Sequence, residues 1–357
     1  MLMTDAEVRV IACDESASEG ENLIASRHPV FVHASVNLTV EDAVELRDAM
    51  RVAMRAQAPE MKSKTALASS NRRALMDAIE RLSGAANICL VDKAYFLTSK
   101  LVDLLIAAQA SEEGMNIGEW GYGRIYADYL DHNAAEAVGS DRWDAVLGTY
   151  NRLIRSYQRE NAKPPTAEPF FAALNESLRH CTDKQTQYLL LQLWRARHFA
   201  RKYEGASKVE LRELDPLMPT MSAVARTWAM RLGDTPFEFL ADTYSGLTPE
   251  VCQFIVDASR TPLTVGDNPH PVPDLRRVSV ADSRSDARIQ IADLLAGVGR
   301  EVARLAMEGT FDEDLQVAVH EMLDINIMAS SGSPLDVLVE RRPLPYYQDW
   351  TAEHWGV

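Results

Sequence analysis

Apolar and polar positions change their spacing twice along the chain, and the changes divide it into three stretches. In the first, the apolar run Val8–Cys13 reads as a short strand that ends at Asp14-Glu15-Ser16, and Pro29–Leu38 (PVFVHASVNL) reads as a second strand. Thr39, with Asp42 three residues on, is an N-cap signal, and Val40–Gln57 follows as a helix with Val44, Met50 and Met54 on its apolar side. Ser69 or Ser70 opens a further helix that ends near Gly84, and Asn87–Asp92 is a third strand. From about Leu97 to Leu232 the spacing is helical almost throughout, most clearly at Trp143–Gln158 and Leu189–Tyr203, with loops at Glu112–Gly123 and Ala162–Glu168. Strand character returns at Pro236–Asp242 (PFEFLAD). A helix over Pro249–Ser259, a proline-rich loop over Pro262–Pro273, an alternating strand at Arg277–Asp282 and a long amphipathic helix at Ala287–Glu308 complete the third stretch.

Strands on both sides of a helical block predict an α/β fold in which the early and late parts share one mixed sheet and the block is an insertion. Two separate α/β domains would each have a sheet of two or three strands, which is marginal alone. The expected organisation is an α/β core from 1–96 and 233–310, a helical insertion over 97–232, and a helical or irregular extension over 311–357.

Composition narrows the class. The 357 residues are 46% hydrophobic and 25% charged, which excludes a disordered, collagenous or disulfide-knotted chain. Cys13, Cys89, Cys181 and Cys252 are widely spaced, with no CxxC and no histidine pair at zinc-ligand spacing. They read as reduced thiols. Asp5 and Glu7 follow the start at once where a secretory segment would be apolar, and no apolar run is long enough to span a bilayer. A cytoplasmic protein with no membrane partner is the expectation. With 52 Asp+Glu against 37 Lys+Arg the net charge is −15. That argues against gripping nucleic acid over the whole surface and leaves room for a local basic groove.

Acids recur in one context. Asp14, Asp242 and Asp282 each end a strand, and Asp293 falls one to two turns into the last long helix. Open α/β sheets place ligands beyond the carboxyl ends of their strands. Carboxylates gathered there repel one another unless a cation stands among them, and oxygen ligands suit Mg²⁺ or Mn²⁺. A plainer origin also fits each one, because strands end on polar residues where the chain turns. Ile291, Leu294, Leu295, Val298, Val302 and Leu305 make an apolar stripe around Asp293, so this carboxylate is expected to be partly buried. It then needs a metal or an arginine such as Arg288 or Arg300. Gly297, one turn on, would let another element pack closely.

Four of these stretches resemble one family. Asp14-Glu15-Ser16-Ala17 resembles the DESG opening of the domain-of-unknown-function 3800 family. Asp282-Ser283 followed by Ile289–Gly297 (IQIADLLAG) is similar to its closing signature, a DS pair and then (L/I)Q(L/I)ADLLAG. Glu60-Met61-Lys62 looks like its E-x-K element, and Asp242 in FLADTYSGL looks like its internal aspartate. The elements occur in the family's order between residues 14 and 297. Ala17 departs from the usual glycine, and would strain the turn if that position takes a positive φ. The resemblance implies a ribonuclease-H-like mixed sheet flanked by helices and a metal-dependent phosphodiesterase. Asp14, Asp242 and Asp293 are then the expected metal ligands and catalytic acids, holding two cations about 3.5–4 Å apart. Glu60 is an expected fourth ligand, and Lys62 would offset phosphate charge. Glu15 points to the opposite face of an extended strand and is left out of the ligand set.

The insertion carries the basic tracts. Arg152, Arg155 and Arg159 fall at helical spacing near Tyr150 and Tyr157. Arg195, Arg197, His198, Arg201 and Lys202 crowd another helix beside Trp194 and Phe199. Arginines interleaved with aromatics can bind phosphates and stack bases, and equally can be a solvated face over core aromatics. Together the expectation is a Mg²⁺- or Mn²⁺-dependent nuclease acting on DNA or RNA, with Arg152, Arg155, Arg159, Arg195 and Arg201 as substrate contacts. The alternatives are a catalytically silent binding or regulatory protein of the same fold, and a phosphoesterase acting on a small molecule.

Overall fold

A computed structural model describes residues 8–18, 22–24, 26–56, 62–117, 121–155, 164–204, 215–262, 264–265, 268–269, 271–324 and 326–339. Glu60 and Arg159 lie outside the described residues. The chain begins with β1 (Arg9–Ser16), β2 (Val30–Val36), α1 (Val40–Ala53), α2 (Ser63–Ala66), α3 (Arg72–Arg81) and β3 (Ala86–Asp92). Helices follow: α4 (Lys93–Leu101), a π-helical stretch over Val102–Ala107, α5 (Ala108–Glu112), α6 (Tyr122–Val138), α7 (Ser140–Ile154), α8 (Glu168–His180), α9 (Lys184–Arg195), α10 (Arg197–Lys202) and α11 (Leu217–Leu232). The last part runs β4 (Phe237–Asp242), α12 (Pro249–Ser259), the short pair β5 (Thr264–Val265) and β6 (Asn268–Pro269), β7 (Leu275–Ala281), α13 (Ala287–Met307) and α14 (Glu313–His320).

Five strands form one mixed sheet in the order β3-β2-β1-β4-β7, so early and late parts of the chain share it. β2 is antiparallel to both neighbours, while β1–β4 and β4–β7 are parallel ladders. β1, β3, β4 and β7 therefore end at the same edge. The alternation of strand side chains divides the core in two. Ile11, Cys13, Phe31, Cys89 and Phe239 face the insertion helices. Ala12, Val32, Ala34, Ile88 and Leu90 face α1, α3 and α13. Gly299 sets the depth of α13: a Cβ there would stand 2.7 Å from Ile88 Cγ2 and 3.0 Å from Val32 Cγ1.

The outer edge of β3 is covered by the segment after α14. Ile88 N–H donates to Met322 O (2.7 Å), Asp324 N–H to Ile88 O (2.7 Å) and Met328 N–H to Leu90 O (2.9 Å). Buried Asp324 fixes this cover, accepting from Asn87 Nδ2 (3.0 Å), Thr227 Oγ1 (2.8 Å) and the Asn326 N–H (2.9 Å). No helix among the described residues is long and apolar enough to cross a membrane.

Boundaries differ from the sequence expectation where tertiary pairing acts. β1 runs past Asp14 to Ser16, because Glu15 and Ser16 pair with His33 and Val32 of β2. α7 stops at Ile154 and Arg155 is extended (ψ 122°), so Arg152 and Arg155 do not continue one helical face. The expected helix over Leu189–Tyr203 is two helices broken at Ala196, which is fully buried.

Candidate functional site

Ladder register places the first two acids. Cys13 pairs with Ala241 in the parallel β1–β4 ladder, so Asp14 and Asp242 are the next residues of adjacent strands, about 4.8 Å apart in the backbone. Both fall on the side of Ala12 and Leu240, the side covered by α13. α13 brings Asp293, half-buried just ahead of buried Leu294 and Leu295, within reach of the Asp14 charge.

Each strand-end carboxylate is aimed by backbone amides. Asp14 Oδ1 accepts the Glu15 N–H (2.7 Å), and Asp242 Oδ1 accepts those of Thr243 (2.7 Å) and Ser283 (3.0 Å). Burial is the main cause that pushes Asp14 up to about 8, followed by the charges of Glu15 and Asp293, with the Glu15 N–H opposing and Asp242 adding least. Glu15 rises to about 7, first by burial and then through Asp215, Asp242 and Asp293. Without a counter-charge these groups hold protons near neutral pH. Their donor set is hard oxygen throughout, which fits a divalent cation of the Mg²⁺ type. Among the described residues no three His, Cys, Asp or Glu side chains are close enough to hold a metal ion. The acids share one edge of the sheet without closing into a ligand shell.

Asp282 turns away. Its carboxylate forms a fork with Arg284 (2.5 and 3.0 Å) in solvent, and that guanidinium holds it down at about 2. Arg288 pairs with Asp286 (2.6 Å). Lys62 is exposed at the start of α2, where Ser63 rests on α13 one turn past Asp293. A Cβ on Gly297 would lie 2.1 Å from Ser63 Cβ, so the glycine is what lets this segment approach. Ala17 has φ +63°, a left-handed value that glycine takes without strain.

The other face of the same edge, where Glu15 was expected, also carries groups that the sequence did not single out. Glu15 lies opposite His33 in the β1–β2 ladder. His33 is fully buried with neither ring nitrogen hydrogen-bonded among the described residues, and burial lowers it to about 4, so the ring is neutral. Asp215, at the start of α11, accepts the Tyr244 hydroxyl (2.8 Å) and the Leu217 N–H (3.0 Å). Lys93 is also buried at this edge and donates to Ser26 Oγ (2.6 Å). Tyr244 stands two residues after Asp242, a signal the sequence offered. Nothing local in the Asp215-Pro216 step tells that it meets a strand end.

The basic tracts divide. Asn151 Oδ1 accepts the Leu23 N–H (3.2 Å), which ties the end of α7, with exposed Arg152 and half-buried Arg155, to the β1–β2 loop at the acidic edge. Tyr150 is fully buried and donates to Lys100 O (3.1 Å). The second tract is tied to α5: Arg195 pairs with Glu113 (2.9 Å) and His198 with Glu112 (3.0 Å). Arg201 is exposed on α10, while Trp194 packs edge-on against Phe171 (5.3 Å). A cavity of about 810 Å³ opens beside the start of β1, lined by Arg9, Thr39, Glu41, Arg231 and Arg288, and contains none of the clustered acids.

Compared with models of protein families, with curated proteins and with solved structures, the chain matches none.

Proposed function

We propose that the chain is a Mg²⁺- or Mn²⁺-dependent phosphodiesterase of ribonuclease-H-like fold that hydrolyses nucleic acid. The observation that carries this reading is the adjacency of Asp14 and Asp242 on neighbouring parallel strands beneath the helix that bears Asp293. The sheet order β3-β2-β1-β4-β7, with β2 alone reversed, supports the fold assignment. So does the left-handed backbone at Ala17, where the family resemblance has glycine.

Asp14, Asp242 and Asp293 would hold the cation, which supplies an acidified water and charge neutralisation at a phosphoryl oxygen. The chain's own part is orientation. Backbone N–H groups fix Oδ1 of Asp14 and of Asp242, which orients both carboxylates at the strand ends. Gly297 seats the Ser63 segment, which brings Lys62 alongside α13 to face phosphate charge. Arg152 and Arg155, tied to the β1–β2 loop, are the better-placed contacts for a phosphate backbone. Arg195 is already paired with Glu113.

The test is cleavage of single- and double-stranded DNA and RNA, and of small nucleotides, with Mn²⁺ or Mg²⁺, beside Asp14→Asn and Asp293→Asn. Wild-type cleavage lost in both variants, by a hundredfold or more, is expected. Unchanged cleavage in the variants sinks the site. Cleavage confined to small nucleotides makes the enzyme a small-molecule phosphoesterase. A wild type that neither binds metal nor cleaves is a binding protein.

A further inference from the structure

We propose that Gln290 is a positioning residue of the carboxylate site and acts on Asp242 through the backbone of Ser283. The inference rests on the metal-site reading and adds a residue to it. Gln290 Nε2 donates to Ser283 O (2.8 Å), and the Ser283 N–H donates to Asp242 Oδ1 (3.0 Å). One peptide residue is thus gripped at its carbonyl by α13 and at its amide by the acid that ends β4. These two contacts link the helix carrying Asp293 to the strand carrying Asp242 across the β7–α13 turn.

Gln290 precedes Asp293 by three residues and so lies on the same face of α13. It is 9% exposed, and its Oε1 is buried with no hydrogen-bond donor among the described residues. A buried carbonyl oxygen left without a donor is uncommon in a native fold and calls for a reason. An apolar residue of the same length would fill this place in the stripe of Ile291, Leu294 and Leu295 at less cost. The amide is explained by its work on the turn: Nε2 is spent holding Ser283, and burial of Oε1 without a donor is the cost of that contact. Outer partners that orient ligands in this way typically change metal affinity ten- to a hundredfold when removed.

The experiment reads two quantities in the full chain. The first is the amide proton shift of Ser283 by NMR without metal, in wild type, Gln290→Leu, Gln290→Glu and Asp242→Asn. A proton donated to a carboxylate lies downfield, and the weaker, neutral acceptor in Asp242→Asn moves it upfield. The same upfield movement is expected in Gln290→Leu and in Gln290→Glu read at a pH that ionises its carboxyl, which then cannot donate to Ser283 O. The glutamate variant keeps the volume should the leucine variant not fold. A Ser283 amide unmoved in the glutamine variants overturns the proposal whatever the metal does.

The second quantity is Mn²⁺ affinity by electron paramagnetic resonance. Roughly tenfold weaker binding is expected for Gln290→Leu. No further loss is expected when Asp242→Asn is already present, because the glutamine acts through that acid. Wild-type affinity in Gln290→Leu, or losses that add in full, overturns the positioning role. A wild type without Mn²⁺ affinity whose Ser283 amide still answers to Gln290 refutes the metal reading and leaves the structural tie standing.

Discussion

Two small side chains near the acids show how single positions shape the site. Ala17 sits at φ +63°, where a Cβ costs roughly 1–2 kcal/mol, part of which glycine returns as chain entropy. Ala17→Gly is therefore expected to raise stability by about 1 kcal/mol, read as a higher denaturant midpoint at unchanged slope. Gly297 works the other way. Its missing Cβ is filled by Ser63, and an added methyl 2.1 Å from Ser63 Cβ forces the start of α2 off the helix. Gly297→Ala should cost about 1–3 kcal/mol and lower metal-dependent cleavage. Adding Ser63→Gly should recover most of both losses. Failure of that rescue would mean the glycine serves something other than this contact.

At the scale of elements, α13 and the covered edge of β3 do most to fix the geometry. α13 crosses the sheet at a depth set by Gly299 and delivers Asp293 to strands it does not pair with. The β3 edge would otherwise leave ladder groups open, and Met322, Asp324 and Met328 close it. Asp324 bridges that cover to β3 and α11 through Asn87 and Thr227. Truncation would leave these two buried donors unsatisfied. Asp324→Ala is expected to lower stability by about 3 kcal/mol in chemical denaturation, while an exposed acid of α14 such as Glu313 should change it by less than about 0.5 kcal/mol when replaced by alanine.

For the whole molecule, the buried titratable groups set opposed pH dependences. His33 falls from 6.5 to about 4 on burial, so between those values the folded state binds fewer protons than the unfolded chain. Its contribution is present above pH 6.5 and is lost as pH falls through about 4, a change of about 3 kcal/mol. Asp92 runs the other way: raised from 3.8 to about 6, first by burial and then by Asp131, it makes the fold lose stability as pH rises across that window. His33→Leu isolates the first effect. Its stability relative to wild type should increase by about 3 kcal/mol on going from pH 7 to pH 4, measured by urea denaturation at each pH. A constant difference would show that His33 does not stay neutral in the fold. The −15 net charge has a local side too, since part of it is gathered where the charges of Asp242 and Asp293 help to raise Asp14 and Glu15.

The strands, the helical block and the strand-end acids were legible in the sequence because they depend on local periodicity and on where an apolar run stops. The Asp14–Asp242 pair was expected from chain position, and the ladder register, a non-local pairing, made them neighbours. The same register carried β1 on to Ser16 and set Glu15 beside His33 on the other face. Asp282 looked equivalent to its fellows in one dimension, and only the turn geometry gave it to Arg284. Asp215, Lys93 and the Ser283 bridge from Gln290 to Asp242 had no sequence signal strong enough to read, because each depends on segments brought together by packing. Sequence alone determined the kinds of element and the chemistry available; tertiary structure decided which carboxylates meet, because side-chain direction and strand register are fixed only when the sheet and α13 pack.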